Sequence, residues 1–321
     1  MKKIAILALV VAILLLAFTG CAAPLDESKS DAVKTAYTQT GELLSDVVGA
    51  VGEDWAIIGL TRSGRLSEET AKAYQQAAAE YVSDVGSAKL HRAKCTENAR
   101  MILALTAVGG DVTDVGGYNL LEGLAEMDYV TKQGNTGPAW ALIALDCSGY
   151  EIPTASDPEK QVTRERLLEH ILSVQCDDGG WGLSAEPSDV DVTAMVLQAL
   201  SAYRKEEKVA AAIERALAYL SQTQSEDGGY VSYGAATSES CAQVVVALTA
   251  LGIHPDTDSR FVKNGNSIVD ALCRFAVNGG GFCHILSMPE RNGVATEQGY
   301  YALTAYYRFL EGKSSLYDMR G

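Results

Sequence analysis

The sequence predicts an all-α fold, an (α/α)6 toroid in which six outer helices surround six inner ones. Three observations carry that expectation. The tetrapeptide Ala-Leu-Thr-Ala or a near relative starts at Ala104, Ala144, Ala199, Ala247 and Ala302, with a degenerate first copy at Gly59, at intervals of 40 to 55 residues. Each copy ends a small, aliphatic stretch that follows an amphipathic one, the pattern of stacked helix pairs that bury their faces only against neighbours. Glycine pairs at Gly179-Gly180, Gly228-Gly229 and Gly279-Gly280 close three outer stretches, each with an aromatic soon after: Trp181, Tyr230 and Phe282. A residue just past a helix end often needs positive φ, which glycine supplies.

Taken in order, residues 1–21 read as a leader. Lys2 and Lys3 precede an apolar run of fifteen residues, Ile4 to Phe18, too short to span a bilayer comfortably. Thr19-Gly20-Cys21 resembles a bacterial lipobox, which implies lipidation of Cys21 and attachment to the outer face of the cell membrane, since two acyl chains suffice for stable anchoring. Residues 22–30 are small and polar, as in a tether, and 31–321 form the toroid domain. Outer helices are expected over 31–44, 68–84, 118–130, 162–174, 206–222 and 267–277. The inner ones are expected over 46–61, 96–108, 137–147, 189–203, 239–251 and 294–310. Asp189, Ser238 and Thr296 precede apolar runs as N-cap candidates, and Pro138 suits a first turn.

A net charge of −15 with scattered Lys and Arg excludes nucleic acid as the main partner. Six cysteines follow Cys21, without close paired spacing, and read as buried free thiols.

Aligning the inner helices on the repeat gives the lumen as a stripe of one helical face. At the repeat alanine all six residues are small: Gly59, Ala104, Ala144, Ala199, Ala247 and Ala302. Four positions earlier stand Trp55, Arg100, Trp140, Met195, Gln243 and Gln298, and eight earlier Val51, Thr96, Thr136, Asp191, Glu239 and Val294. The ring should therefore be closed at one end and chemically varied at the other. Leucine follows every one of the small residues and should face the outer helices. Aromatic walls with a few convergent polar groups suit a small-molecule site. The candidate ligand-binding residues are Trp55, Arg100, Trp140, Asp191, Glu239, Gln243, Glu297, Gln298 and Tyr300, with Tyr301 and Tyr230 extending the wall. Against this, the carboxylates suit helix capping, and Arg100 has Asp191 or Glu239 as possible partners.

Gln175 with Asp178-Gly-Gly-Trp181, and Gln224 with Asp227-Gly-Gly-Tyr230, resemble the QW-type repeat of squalene cyclases and prenyltransferases. With Asp189-Val-Asp191-Val-Thr-Ala and Ala295-Thr-Glu-Gln298, the domain resembles exported transcobalamin-like and prenyltransferase-like α/α-toroid proteins. The class II terpene cyclase motif, Asp-x-Asp-Asp-Thr-Ala, implies that Asp191 matches its proton donor, while Val192 stands where a further carboxylate is usual. The Asp-x-Cys zinc site of protein prenyltransferases does not occur, and Ala295 replaces the cysteine of the complement-type thioester, so no metal or thioester is expected. His284 beside Cys283 lacks a third ligand.

The expectation that follows is a membrane-tethered, extracellular, non-catalytic binding protein that holds a small molecule, cobalamin among the candidates, or the end of a peptide or glycan. A terpenoid cyclase or prenyltransferase-like enzyme with Asp191 as acid is the alternative, and a surface scaffold a third.

Overall fold

A computed structural model describes residues 27–320 apart from position 233. The leader and Cys21 lie outside the described residues, as does the tether up to residue 26. Inner helices α2 (Asp54–Ser63), α4 (Cys95–Ala107), α6 (Thr136–Asp146), α8 (Val190–Leu200), α10 (Ser238–Leu251) and α12 (Gly293–Leu310) pack each on the next, and α12 returns onto α2. The ring is closed. Outside it stand α1 (Glu27–Leu44), α3 (Glu68–Val85), α5 (Met127–Val130), α7 (Arg164–Ser173), α9 (Glu207–Thr223) and α11 (Ile268–Cys273). Two short antiparallel hairpins, β1–β2 (Val231–Ser232 with Ala235–Ala236) and β3–β4 (Val262–Lys263 with Asn266–Ser267), sit between helices.

The six leucines after the repeat residue, Leu60, Leu105, Leu145, Leu200, Leu248 and Leu303, are all buried. Each removes apolar surface worth about 1.5–3 kcal/mol from water. The two QW-type turns are built alike. Gln175 Nε2 donates to the carbonyls of Gly179 (2.7 Å) and Ala212 (2.9 Å), and Gln224 Nε2 to those of Gly228 (2.8 Å) and Phe261 (3.0 Å). Each glutamine thus ties its own turn to the following outer layer. The aromatics lock back onto the helix they follow, Trp181 Nε1 onto the Ile171 carbonyl and the Tyr230 hydroxyl onto that of Leu220. Tyr230 is therefore part of the outer layer and not of the lumen wall. Gly179 and Gly228 have φ of 93° and 85°, where a side chain would be strained.

Several local expectations change. The first inner helix starts at Asp54 and not at 46, because Gly49 and Gly52 hold positive φ and the Glu53 carboxylate accepts from the amides of Gly49 and Ala50, both at 2.8 Å. Residues 118–130 form a short 3-10 segment, Leu120–Leu124, and the single turn α5. There Asn98 Nδ2 donates to the carbonyls of Ala88 and Leu120, and Gly123 packs so closely on Asn98 that a Cβ would come within 2.3 Å of it. Asp189 caps α8 as expected, but Thr237 and Asn292 take the places assigned to Ser238 and Thr296. Thr296 Oγ1 instead accepts from the Phe282 amide, as Thr193 Oγ1 accepts from that of Trp181. All six cysteines among the described residues are free. No helix among them is long and apolar enough to cross a membrane.

The carboxyl end of the ring is stopped by more than small residues. The chain after α12 turns across it, with the Met319 amide on the Cys147 carbonyl at 2.7 Å. Arg62 Nη2 holds this tail through Ser314 Oγ (2.9 Å) and the carbonyls of Ser315 (2.9 Å) and Asp318 (2.8 Å).

Candidate functional site

At the amino ends of the inner helices a cavity of about 240 Å³ opens along the ring axis. Its wall takes one residue from the expected stripe on every inner helix: Trp55, Arg100, Trp140, Met195, Gln243 and Gln298. Thr96, Thr136, Gln133 and Tyr301 complete it. Trp55 packs on Trp140 and Tyr301, with ring centres 5.1 and 5.7 Å away. Gln198 Nε2 donates to Gln243 Oε1 (2.9 Å), and Gln243 Nε2 to Gln298 Oε1 (3.0 Å) and to the Tyr301 hydroxyl (2.6 Å). Such linked side chains fix one another's orientation and pre-form the wall.

Tyr300 does not belong to it. One residue's step turns a helix by about 100°, so Tyr300 faces Tyr37, 5.5 Å between ring centres, and pairs with the Ser63 hydroxyl at 2.8 Å. Tyr301, which lies three residues after Gln298, takes the lumen position. That spacing is the signal that picks it out.

Arg100 is already paired, though not with Asp191 or Glu239. Its Nη2 meets Glu97 at 2.6 Å, and its Nε lies 3.1 Å from Asp54 Oδ2. The angle of the second contact falls short of a hydrogen bond, which leaves both of those buried atoms without one. Asp54 is 1% exposed at the start of α2, and the Tyr74 hydroxyl donates to its other oxygen. Glu297 lies in the second turn of α12, too deep to cap it. Burial pushes its carboxyl up to about 7, helped by the charge of Asp54 and opposed by Arg100.

On the other side of the mouth, no arginine or lysine among the described residues is paired with Asp189, Asp191 or Glu239. Asp189 Oδ1 accepts from the amides of Asp191 and Val192 at 3.0 and 3.1 Å, and Ser232 Oγ donates to its Oδ2 at 2.7 Å. Asp191, one turn above Met195, has an Oδ1 buried without a hydrogen-bond partner. Burial pushes its carboxyl up to about 6; the Ser240 hydroxyl works against this, and the charges of Asp189 and Glu239 add to it. Val192 is buried in the core. A second carboxylate near Asp191, besides Asp189, comes from Glu239 on the next inner helix. Glu239 in turn faces His284, whose Nδ1 lies 2.9 Å from both of its oxygens. Asp191 and Glu239 thus stand at the rim, above the residues that line the cavity.

No family model matches the chain. A stretch of 69 residues is 46% identical to drimenyl diphosphate synthase from Streptomyces showdoensis, covering 21% of this chain and 13% of that protein. In fold, the chain resembles a type II terpene cyclase from Scytonema in complex with geranylgeranyl dihydroxybenzoate, its substrate: TM-score 0.60, 13% identity, 88% of this chain and 100% of that one. It also resembles Candida albicans protein geranylgeranyltransferase-I complexed with GGPP: TM-score 0.57, 11% identity, 87% and 91% covered. These likenesses establish the terpene cyclase and prenyltransferase type of α/α toroid. They overturn the expectation of a non-catalytic binding protein for cobalamin, a peptide or a glycan, because the proteins matched are enzymes and two are seen with prenyl-type ligands.

Proposed function

We propose that this chain is a terpenoid cyclase-type enzyme that starts its reaction by protonating an alkene from Asp191. The observation that carries the reading is the setting of that carboxyl. It is raised to about 6, has one oxygen free of hydrogen bonds, and sits at the rim of an aromatic-walled cavity. A general acid works best when its pKa lies near the operating pH. Burial and two neighbouring carboxylates are the usual means of raising one.

In this reading a prenyl chain enters the cavity along the ring axis and folds so that its terminal double bond turns back toward Asp191 at the rim. The carboxyl proton adds to one alkene carbon, the adjacent carbon becomes cationic, and a second double bond attacks it to close a ring. Loss of a proton from the final cation balances the reaction as an isomerisation. Trp55, Trp140 and Tyr301 offer aromatic faces to the travelling positive charge. The linked amides of Gln243 and Gln298 beside them are weak nucleophiles. The cavity falls just under the range of about 300–1,000 Å³ usual for ligand sites, so a long chain must displace flexible Met195. The leader and Cys21 support a lipid-anchored position at the outer membrane face, where apolar substrates partition.

Incubating the protein with farnesyl or geranylgeranyl diphosphate and analysing the extract by gas chromatography with mass detection tests the reading. A cyclised isomer from wild type and none from Asp191→Asn is the expected result. Equal products from both, or none from either, reject it.

A further inference from the structure

Two spaces lie within the ring, one at its mouth and one toward its carboxyl end. The upper is the cavity at the mouth, and the lower, about 90 Å³, lies to one side, between the carboxyl ends of α6, α8 and α10 and the C-terminal tail. Two contacts form the partition. Trp140 lines the upper space and meets Tyr317, which lines the lower, edge-on with ring centres 5.7 Å apart. Gln243 lines the upper space and accepts from Gln198, which lines the lower. Tyr317 is 8% exposed, yet its hydroxyl has no hydrogen-bond partner, and neither has Gln198 Oε1. Unpaired buried polar atoms are costly, so this side chain is not held there by hydrogen bonding of its own. The tail is fixed elsewhere. Arg62 grips it at Ser314, Ser315 and Asp318, and Arg308 Nη2 adds a bond to Ser314 Oγ at 3.0 Å.

We propose that Tyr317 is a specificity-determining residue: its ring floors the cavity and sets how long a hydrocarbon chain the ring admits. The inference rests on the prenyl-substrate reading for the class of ligand, but not on any chemistry by Asp191. The tail's anchors are independent of the Tyr317 ring, so shortening that side chain removes the aromatic part of the partition without releasing the tail. A longer chain then descends past Trp140 along Ile143, Val246 and Leu316, the larger aliphatic residues of a lining whose charged members are Asp146, Arg204, Asp318 and Arg320.

Saturated n-alkyl phosphates of 10, 15 and 20 carbons test this, because they hold no double bond to protonate. Their binding is followed by tryptophan fluorescence below the micellar range. In Tyr317→Ala, affinity for the 20-carbon chain relative to the 10-carbon chain rises at least about tenfold over wild type. Burying each added methylene multiplies affinity by up to about fourfold, so the gain is attainable. Tyr317→Phe, which keeps the ring, retains the wild-type ratio. If Tyr317→Ala loses its near-ultraviolet circular dichroism, Tyr317→Leu replaces it, with a rise of at least about threefold. An unchanged ratio in a folded variant, or no dependence on chain length in any of the proteins, overturns the proposal. A shifted ratio in a protein that forms no cyclised product would leave the floor standing and reject the acid alone.

Discussion

On one side of the mouth Asp54, Glu97 and Glu297 gather round Arg100; on the other, Asp191 stands with Asp189 and Glu239, and the base in contact is His284, on Glu239. The first group is a charge-compensated joint between α2, α4 and α12. Its deepest carboxylate, Asp54, is held by an arginine and a tyrosine. In the second, no arginine or lysine among the described residues answers the three carboxylates, so burial and mutual repulsion favour the protonated form of Asp191. Burial thus raises one carboxyl on each side, Glu297 near Arg100 and Asp191 away from any guanidinium, while Asp54 and Glu97 are the ones held in ion pairs.

Rate changes should separate the two sides most. Asp191→Asn removes the proposed general acid, a loss of about 10²–10⁴-fold in product formation, whereas Glu297→Gln stays within about tenfold of wild type although its carboxyl is also raised. Product yield from both variants side by side checks this, and the reverse order would assign the acid to the Arg100 side. Stability responds next. Arg100→Gln leaves Asp54 buried and uncompensated, at a cost of about 3 kcal/mol in urea unfolding. Adding Asp54→Asn should recover part of that loss.

Asp191→Asn should do the opposite. A carboxyl raised in the folded state contributes stability that is present below its unfolded pKa and is lost as pH rises through the folded value. The loss falls between about pH 4 and pH 6. At pH 8 the amide variant should be more stable than wild type by about 2 kcal/mol, and at pH 4 the gain should vanish. Urea midpoints at the two pH values measure it; a gain equal at both would mean that Asp191 is not the strained group. The smallest effect is that of Asp189→Ala, which removes the N-cap of α8 for about 1 kcal/mol. It should also lower the pH at which Asp191 titrates, since one of the raising charges is gone.

The ring itself was legible because a helix repeats every 3.6 residues, so a single alignment on the repeat alanine finds the same face on all six inner helices. Trp55, Arg100, Trp140, Met195, Gln243 and Gln298 meet in one cavity for that reason. Tyr300 was misassigned through a one-residue difference in facing. Arg100's partners were missed because Asp54 looked like the middle of a helix that in fact begins there, after two glycines of positive φ. Nothing local announces the floor: Arg62 and Ser314 are 252 positions apart, and such pairings leave no periodic trace. Val192 breaks the cyclase motif in the sequence, and the carboxylate of Glu239 near Asp191, from the neighbouring helix, is visible only in three dimensions.

The central claim is that Asp191 delivers a proton, and the pH dependence of cyclised-product formation tests it most directly. The rate should be level on the acid side and fall about tenfold per unit as pH rises beyond about 6, where the carboxyl empties. A rate that is flat across pH 5 to 8, or that climbs as the carboxyl ionises, would contradict it.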